Sequence, residues 1–166
     1  HEGDPREWDE IIDTNVKGLL YVSRAVLPQM VARDRGHVVH IGSVAGSQAY
    51  LGGNVYCASK AAVRMLNECL KHDLLGTRIR VSSVDPGMVE TEFSVVRFRG
   101  DEARAKAVYA GMTPMTAADV AESCCRKQRV NNRMTDSVAV AVAVGADAGR
   151  ERAPSRFQLL VCEVVL

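Results

Sequence analysis

The chain has 166 residues, enough for one domain with a sizeable core, and 47% of them are hydrophobic. Its 21 basic and 20 acidic side chains give a formal net charge of +1, so no basic field predicts binding to nucleic acid or to an anionic membrane. No apolar run approaches the roughly 20 residues that a membrane-spanning helix needs.

The cysteines and histidines predict neither a disulfide framework nor a metal site. Five cysteines show no Cys-x-x-Cys spacing, and the four histidines do not cluster with them at zinc-type intervals. An odd count of cysteines without a framework is typical of a reducing compartment. We therefore expect a cytoplasmic protein without a metal.

The first predicted element is a long helix with an apolar stripe. Asp4 is a candidate N-cap, Pro5 suits the first helical position, and Glu7 has capping-box spacing. Pro28 lies inside the pattern and is expected to kink or loosen the last turn. Asn15 falls on the apolar stripe, where a buried amide needs hydrogen-bond partners.

The middle of the chain predicts two strands joined by a helix. Residues 37–43 form an apolar run that ends in a Gly/Ser turn, the helix covers about 54–75, and residues 79–84 form the second strand. This order predicts a crossover unit of a parallel sheet. Shorter helices are expected near 101–110 and from 116.

The chain changes character after Glu122. Residues 1–122 carry a net charge of −2 and residues 123–166 one of +3. In this tail the patterns fit strands or helices equally well. We therefore divide the chain into a domain at 1–122 and a tail at 123–166 whose structure stays open.

Three side chains form a pattern that predicts proton transfer. Tyr56 and Lys60 are four residues apart, so on a helix they share one face, and Ser43 ends the first predicted strand. A nearby ammonium favours the phenolate, so we expect Lys60 to lower the pKa of Tyr56. Such a phenol can exchange a proton with a substrate oxygen. The alternative is an ordinary pair on a helix surface.

The order Asn15, Ser43, Tyr56-x-x-x-Lys60 and Pro86-Gly87 resembles the short-chain dehydrogenase/reductase family. The resemblance runs from about Asp4 to Glu122. It implies an α/β fold, namely the C-terminal part of a Rossmann-like doubly wound parallel sheet. The sheet is incomplete because the family's Gly-rich turn and Asn-Asn-Ala-Gly motif are absent from this chain and are expected before residue 1.

A narrower resemblance concerns two segments. Gly52-Gly53-Asn54-Val55-Tyr56 and residues 91–101 are similar to the NADP-dependent 3-hydroxy acid dehydrogenases, including those of serine and L-allo-threonine. This implies an oxidoreductase that transfers a hydride between NADP and a small 3-hydroxy acid. Two alternatives stay open: a carbonyl or 3-oxoacyl reductase of the same family, and a non-catalytic truncated remnant that keeps the helices by which the family dimerises.

The family resemblance also implies roles for individual residues. Tyr56 is the general acid/base, Lys60 lowers its pKa and bonds the nicotinamide ribose, Ser43 donates to the substrate oxygen, and Asn15 holds a water of the proton relay. The other residues expected to contact the cofactor lie after the second strand; they are Pro86, Gly87, Val89 and Thr91.

Arg97 and Arg99 are candidates for binding a substrate carboxylate. A guanidinium binds carboxylate through two parallel hydrogen bonds, and the resemblance places this segment over the substrate. The alternative is that both are solvated surface arginines. The expected partners are therefore a small-molecule substrate and, by resemblance, further copies of the protein in a homo-oligomer.

Overall fold

A computed structural model of the protein describes residues 3–129, 138–143 and 158–163. The helices of this part are α1 (Pro5–Ile12), α2 (Leu19–Ala32), α3 (Asn54–Asp73), α4 (Phe93–Arg97), α5 (Glu102–Ala107) and α6 (Ala117–Arg129). The strands are β1 (Gly36–Ile41), β2 (Ile79–Val84), β3 (Val89–Glu90), β4 (Met115–Thr116), β5 (Val138–Ala143) and β6 (Gln158–Glu163). None of the helices described is long and apolar enough to cross a membrane.

The crossover unit predicted from the sequence is confirmed. Strands β1 and β2 are parallel, with Gly36 opposite Ile79 and Ile41 opposite Val84, and α3 connects them. Two further parallel pairs are β3 with β4 and β5 with β6. A parallel pair needs a long connection between its strands, and the 20-residue helix α3 supplies most of it here.

The apolar core lies between this sheet and helices α2 and α3. Its buried side chains are Leu19, Met30, Val38, Val63, Leu74, Ile79 and Val81. Full burial of a side chain of this size contributes roughly 1.5–3 kcal/mol. Gly36 allows α2 to approach β1, because a Cβ there would lie 2.5 Å from the sulfur of Met30.

The first helical region contains an irregularity that the sequence did not predict. Helices α1 and α2 are joined by a π-helical segment, Asp13–Gly18, in which Asn15 is buried. Asp4 caps α1 as predicted, accepting a bond from the Arg6 amide at 2.9 Å. The carboxylate of Glu7 is not used for a capping box but pairs with Arg99.

The second half of the chain adds short elements around the first sheet. Residues 91–101, the segment that the resemblance places over the substrate, contain helix α4. At the start of α6, the Thr116 amide donates to Asp119 and the Asp119 amide donates to Thr116, which confirms the predicted cap. Helix α6 continues across residue 122, so the proposed boundary at 122 falls within a helix. In the tail, β5 and β6 are strands, which decides the open alternative for those ranges.

Candidate active site

The candidate site lies at the carboxyl ends of β1 and β2, the edge where ligands bind in open parallel sheets. Hydrogen bonding between the two chains continues past the strands. The Gly42 amide donates to Val84 at 2.8 Å and the Val44 amide donates to Pro86 at 3.1 Å. Ser43 and the Pro86-Gly87 turn therefore lie side by side, as the predicted site requires.

Helix α3 brings Tyr56 to Ser43. The turn at Val44–Gly46 packs so closely on α3 that a Cβ at Gly46 would lie 2.8 Å from the Lys60 carbonyl oxygen. The Ser43 hydroxyl, which accepts from the Ala45 amide at 3.1 Å, lies close enough to the Tyr56 phenol to lower its pKa. Two predicted site residues, separated by thirteen positions, are thus brought to the same place.

The pKa of Tyr56 differs from the prediction. Burial raises the pKa of this phenol above its usual value, and the Ser43 hydroxyl and the charge of Arg97 act in the opposite direction. The Lys60 ammonium lies 5.8 Å from the centre of the Tyr56 ring and donates to the Ile41 carbonyl at 3.2 Å. Its role in lowering the pKa of Tyr56 stays a prediction.

Lys60 is buried, with 5% of its surface exposed. Loss of hydration lowers the pKa of its ammonium from 10.5 to about 8, and the carboxylate of Asp85 acts in the opposite direction. Asp85 itself folds over Gly42, where a Cβ would lie 1.9 Å from its oxygen. Lys60 therefore lies beside β1, and its ammonium loses its proton at about pH 8.

Asn15 is tied to α3 through a residue that sequence reasoning missed. Its amide nitrogen donates to the Ser59 hydroxyl at 3.0 Å, and Ser59 donates to the Tyr56 carbonyl at 2.7 Å. Ser59 is fully buried. Its position three residues after Tyr56, where a serine hydroxyl reaches the preceding turn, is the signal that could have found it. The Asn15 side-chain oxygen is buried without a partner among residues 3–129, so it can accept from a water; the relay role stays a prediction.

The residues expected on the cofactor side follow β2 in one continuous segment. Val89 lies in β3 and its carbonyl accepts from Tyr109 at 3.0 Å. Thr91 accepts from the Phe93 amide at 3.2 Å and so fixes the start of α4. Gly87 is exposed, and a Cβ there would meet nothing within 4 Å. Contact of this segment with a cofactor stays a prediction.

Helix α4 covers Tyr56. The rings of Phe93 and Tyr56 have centroids 5.5 Å apart, and Arg97, one turn further along the same face, donates to the Tyr50 hydroxyl at 3.0 Å. Phe93 and Tyr50 are further residues of the site that the sequence did not single out. Neither had a motif of its own, because the contacts depend on how α4 folds back.

Arg99 has different surroundings from Arg97. It follows α4 with a φ of 54° and pairs with Glu7 of α1 at the edge of a shallow polar depression. The structure therefore separates the two candidate arginines, and the substrate role predicted for each remains a prediction. Within the described residues, no group of three histidine, cysteine or acidic side chains is placed to hold a metal ion.

Comparison with known proteins places this arrangement in a family. The family model for short chain dehydrogenases matches residues 1–102. The chain therefore belongs to the short-chain dehydrogenase family, and its fold is part of the Rossmann-like sheet of that family.

The similar curated proteins share a narrower description. Over 124 residues the chain is 51% identical to the NADP-dependent 3-hydroxy acid dehydrogenase of Salmonella typhi, and 50% identical to that of Escherichia coli. It is 46% identical over 112 residues to the corresponding enzyme of Schizosaccharomyces pombe. These alignments cover 74%, 74% and 68% of this chain but 50%, 50% and 43% of the relatives. The chain thus spans about half the length of the curated relatives it matches.

Two solved serine dehydrogenase structures are similar to most of this chain. The closed form of a serine dehydrogenase complexed with NADP+ superimposes with a TM-score of 0.78 at 40% identity, covering 93% of this chain and 63% of that one. Serine dehydrogenase from Escherichia coli gives a TM-score of 0.65 at 37% identity, covering 84% and 55%.

Proposed function

We propose that the protein is an NADP-dependent oxidoreductase that transfers a hydride between the cofactor and a small 3-hydroxy acid such as serine or allo-threonine. The observation that carries the proposal is the position of Ser43 beside Tyr56 at the carboxyl end of β1, with Lys60 one turn along α3. The descriptions of the most similar proteins support the cofactor and the substrate class.

The side chains present suit proton transfer to and from a substrate oxygen. In the oxidation, the substrate hydroxyl bonds to Ser43 and gives its proton to the phenolate form of Tyr56; in the reduction, the Tyr56 phenol returns that proton to the substrate oxygen. Ser43 is the fixed donor that stabilises negative charge on the oxygen during the transfer. NADP, when bound, supplies the acceptor of the hydride that leaves the substrate carbon.

The residues present fit a nicotinamide nucleotide. The Lys60 ammonium has three N–H donors, and in the described residues it uses one of them, on the Ile41 carbonyl. The remaining donors suit ribose hydroxyls. Tyr56 and the segment with Pro86, Gly87, Val89 and Thr91 would hold the nicotinamide end.

Arg97 is the better candidate for the substrate carboxylate. It lies on the face of α4 that carries Phe93, and its charge acts on Tyr56. Arg99 already has the Glu7 carboxylate as its partner. We therefore assign substrate binding to Arg97, with Arg99 as the weaker candidate.

A substrate panel tests the proposal. The assay uses a longer protein, called the full-length protein here, in which this chain is joined to an N-terminal half like that of its curated relatives. We expect NADP-dependent oxidation of serine, allo-threonine or 3-hydroxybutyrate, followed by absorbance of the reduced cofactor. Activity on acyl-thioester ketones without activity on any 3-hydroxy acid would instead establish the 3-oxoacyl reductase alternative.

Association into a homo-oligomer is a separate proposal. Helices α2 and α3, which the family resemblance assigns to dimerisation, expose apolar side chains: Tyr21 is 71% and Met65 63% exposed. Light scattering of the full-length protein checks the oligomeric state, and a monomer at assay concentration would contradict the proposal.

The cysteine pattern supports the further proposal that the protein is cytoplasmic.

A further inference from the structure

Arg97 is held by the aromatic residue Tyr50, to which the proposed function gives no role. Its guanidinium donates to the Tyr50 hydroxyl at 3.0 Å and lies 5.3 Å from the centre of the Tyr50 ring. On another side the Phe98 ring lies 5.6 Å away. A hydrogen bond and two ring contacts together restrict a long side chain that would otherwise sample many rotamers.

Tyr50 is in turn fixed to the start of the catalytic helix. The Gly53 amide donates to the Tyr50 carbonyl at 3.1 Å, which closes a turn directly before α3. The Tyr50 ring lies against Gly53, where a Cβ would be 2.5 Å from the ring carbons. The absence of a side chain at Gly53 therefore allows the ring to occupy this position.

Helix α4, which carries Arg97, is anchored by contacts that do not involve Tyr50. Ser94 of α4 is buried and shares a 2.7 Å hydrogen bond with Tyr109, which also donates to the Val89 carbonyl. Phe93 of the same helix contacts Tyr56. The contact between Arg97 and Tyr50 thus joins helix α4 to the turn before α3, and both act on Tyr56.

We propose that Tyr50 is a specificity-determining residue, which holds the Arg97 guanidinium beside Tyr56 in the orientation that receives the carboxylate of a 3-hydroxy acid. This inference rests on the proposed function. The Tyr50 hydroxyl accepts one N–H, so the remaining donors of the planar guanidinium can bind a carboxylate in two-pronged fashion. Because the arginine is ordered before the substrate arrives, less conformational entropy is lost on binding.

The test compares two substrates that differ only in charge. The ratio of kcat/KM for 3-hydroxybutyrate to that for its methyl ester is measured in the full-length enzyme and in Tyr50→Phe, Arg97→Met and the double variant. We expect Arg97→Met to lower the ratio about 10- to 100-fold, the scale of a hydrogen bond to a charged group. Tyr50→Phe, which keeps the ring, is expected to lower it about fivefold, mainly through KM of the acid.

The double variant separates a positioning role from a direct one. If Tyr50 acts through Arg97, Tyr50→Phe has no further effect in the Arg97→Met background. Arg104→Met is the matched control, because Arg104 also lies on the Phe98 ring, at 4.6 Å, and it should leave the ratio unchanged. If Arg97→Met fails to fold, Arg97→Lys replaces it, since an ammonium lacks the planar fork.

The outcomes distinguish this inference from the proposed function. An unchanged ratio in Tyr50→Phe together with a lowered ratio in Arg97→Met overturns the role of Tyr50 and leaves the proposed function intact. Equal effects of Tyr50→Phe with and without Arg97 also overturn it. If the unaltered enzyme oxidises no 3-hydroxy acid, the proposed function fails and the inference fails with it.

Discussion

Tyr56 is the residue on which the proposed chemistry depends most directly. Tyr56→Phe keeps the ring contact with Phe93 but removes the hydroxyl and its transferable proton. We expect turnover by the full-length enzyme to fall by on the order of 10²-fold or more, the scale of general acid/base catalysis. Steady-state rates with saturating substrate measure the effect, and the far-UV spectrum shows whether the fold is kept. A variant with nearly normal turnover would refute the assignment of Tyr56.

Lys60 is expected to increase turnover but to lower the free energy of unfolding. Its pKa is lowered from 10.5 in the unfolded chain to about 8 in the folded protein. The unfolded chain therefore binds more protons between those pH values, and stability falls as the pH drops from 10.5 towards 8. Below that range the buried charge costs about 3 kcal/mol at most. Hence Lys60→Met should raise the free energy of unfolding at pH 7 while lowering turnover.

Urea unfolding without cofactor, at pH 7 and pH 10, checks this prediction. Lys71→Met is the matched control, because Lys71 lies on the same helix but is exposed and pairs with Glu68. A Lys60→Met protein that is less stable than the unaltered one at pH 7 would show that the bond to the Ile41 carbonyl outweighs the cost of dehydration.

Some residues of the site were predictable from their spacing in the sequence. Others belong to the site only through tertiary contacts. The interval between Tyr56 and Lys60 fixes one helix face, and the glycines around Ser43 indicate a turn, so both are visible in sequence. Ser59 and Tyr50 contact residues 44 and 47 positions away. Such contacts leave no periodic signal. The direction of the Tyr56 pKa shift was also not predictable, since it depends on burial.

Strand β1 carries two buried histidines that make its packing sensitive to acid. His37 is bonded to Ser82 at 3.0 Å and His40 donates to Asn67 at 3.1 Å. Burial lowers the pKa of His37 from 6.5 to about 4, helped by the charges of Arg80 and Lys127, and it also lowers the pKa of His40. The neutral rings are therefore part of the folded state.

A pH series on the full-length protein tests this property of β1. The contribution of the neutral His37 ring to the free energy of unfolding is present in full above pH 6.5. It is lost as the pH falls towards 4, because in this range the unfolded chain binds more protons than the folded protein. Between pH 7.5 and 5.0 the lowered pKa of His37 accounts for a loss of about 2 kcal/mol. His37→Gln should remove that part of the loss in urea unfolding. The exposed His72→Gln is the control, and an equal loss in both variants would contradict the prediction.

Secondary structure was predictable where one pattern was long and undisturbed. The strands β1 and β2 and the helix α3 follow from apolar runs and their spacing. The π-helical segment around Asn15 was not predictable from the sequence, because one extra residue in a turn leaves the apolar stripe nearly unchanged. Helix α4 has five residues and depends on contacts with Tyr56 and Tyr109 rather than on its own sequence.

On the scale of the whole molecule, the site is built from one edge of a parallel sheet. Tyr56 and Lys60 come from α3, Ser43 from the end of β1, and the covering helix α4 from the segment after β2. The aligned relatives are about twice as long as their matched part. Under the proposed function, the described residues would transfer the proton and hold one side of the cofactor. Cofactor binding distinguishes the non-catalytic alternative from an active enzyme.

Titration of NADP into the 166-residue chain and into the full-length protein makes that separation. The chain contains no Gly-rich turn of the family type, and such a turn at a helix N-terminus normally holds the pyrophosphate. We expect micromolar affinity for the full-length protein and at least 100-fold weaker binding by the 166 residues alone, measured by calorimetry. Lys60→Met in the full-length protein should lower affinity less than this, since it removes one group on the ribose side. Micromolar binding by the 166-residue chain would instead show that α3 and the segment after β2 suffice to hold the cofactor, and would refute the non-catalytic alternative.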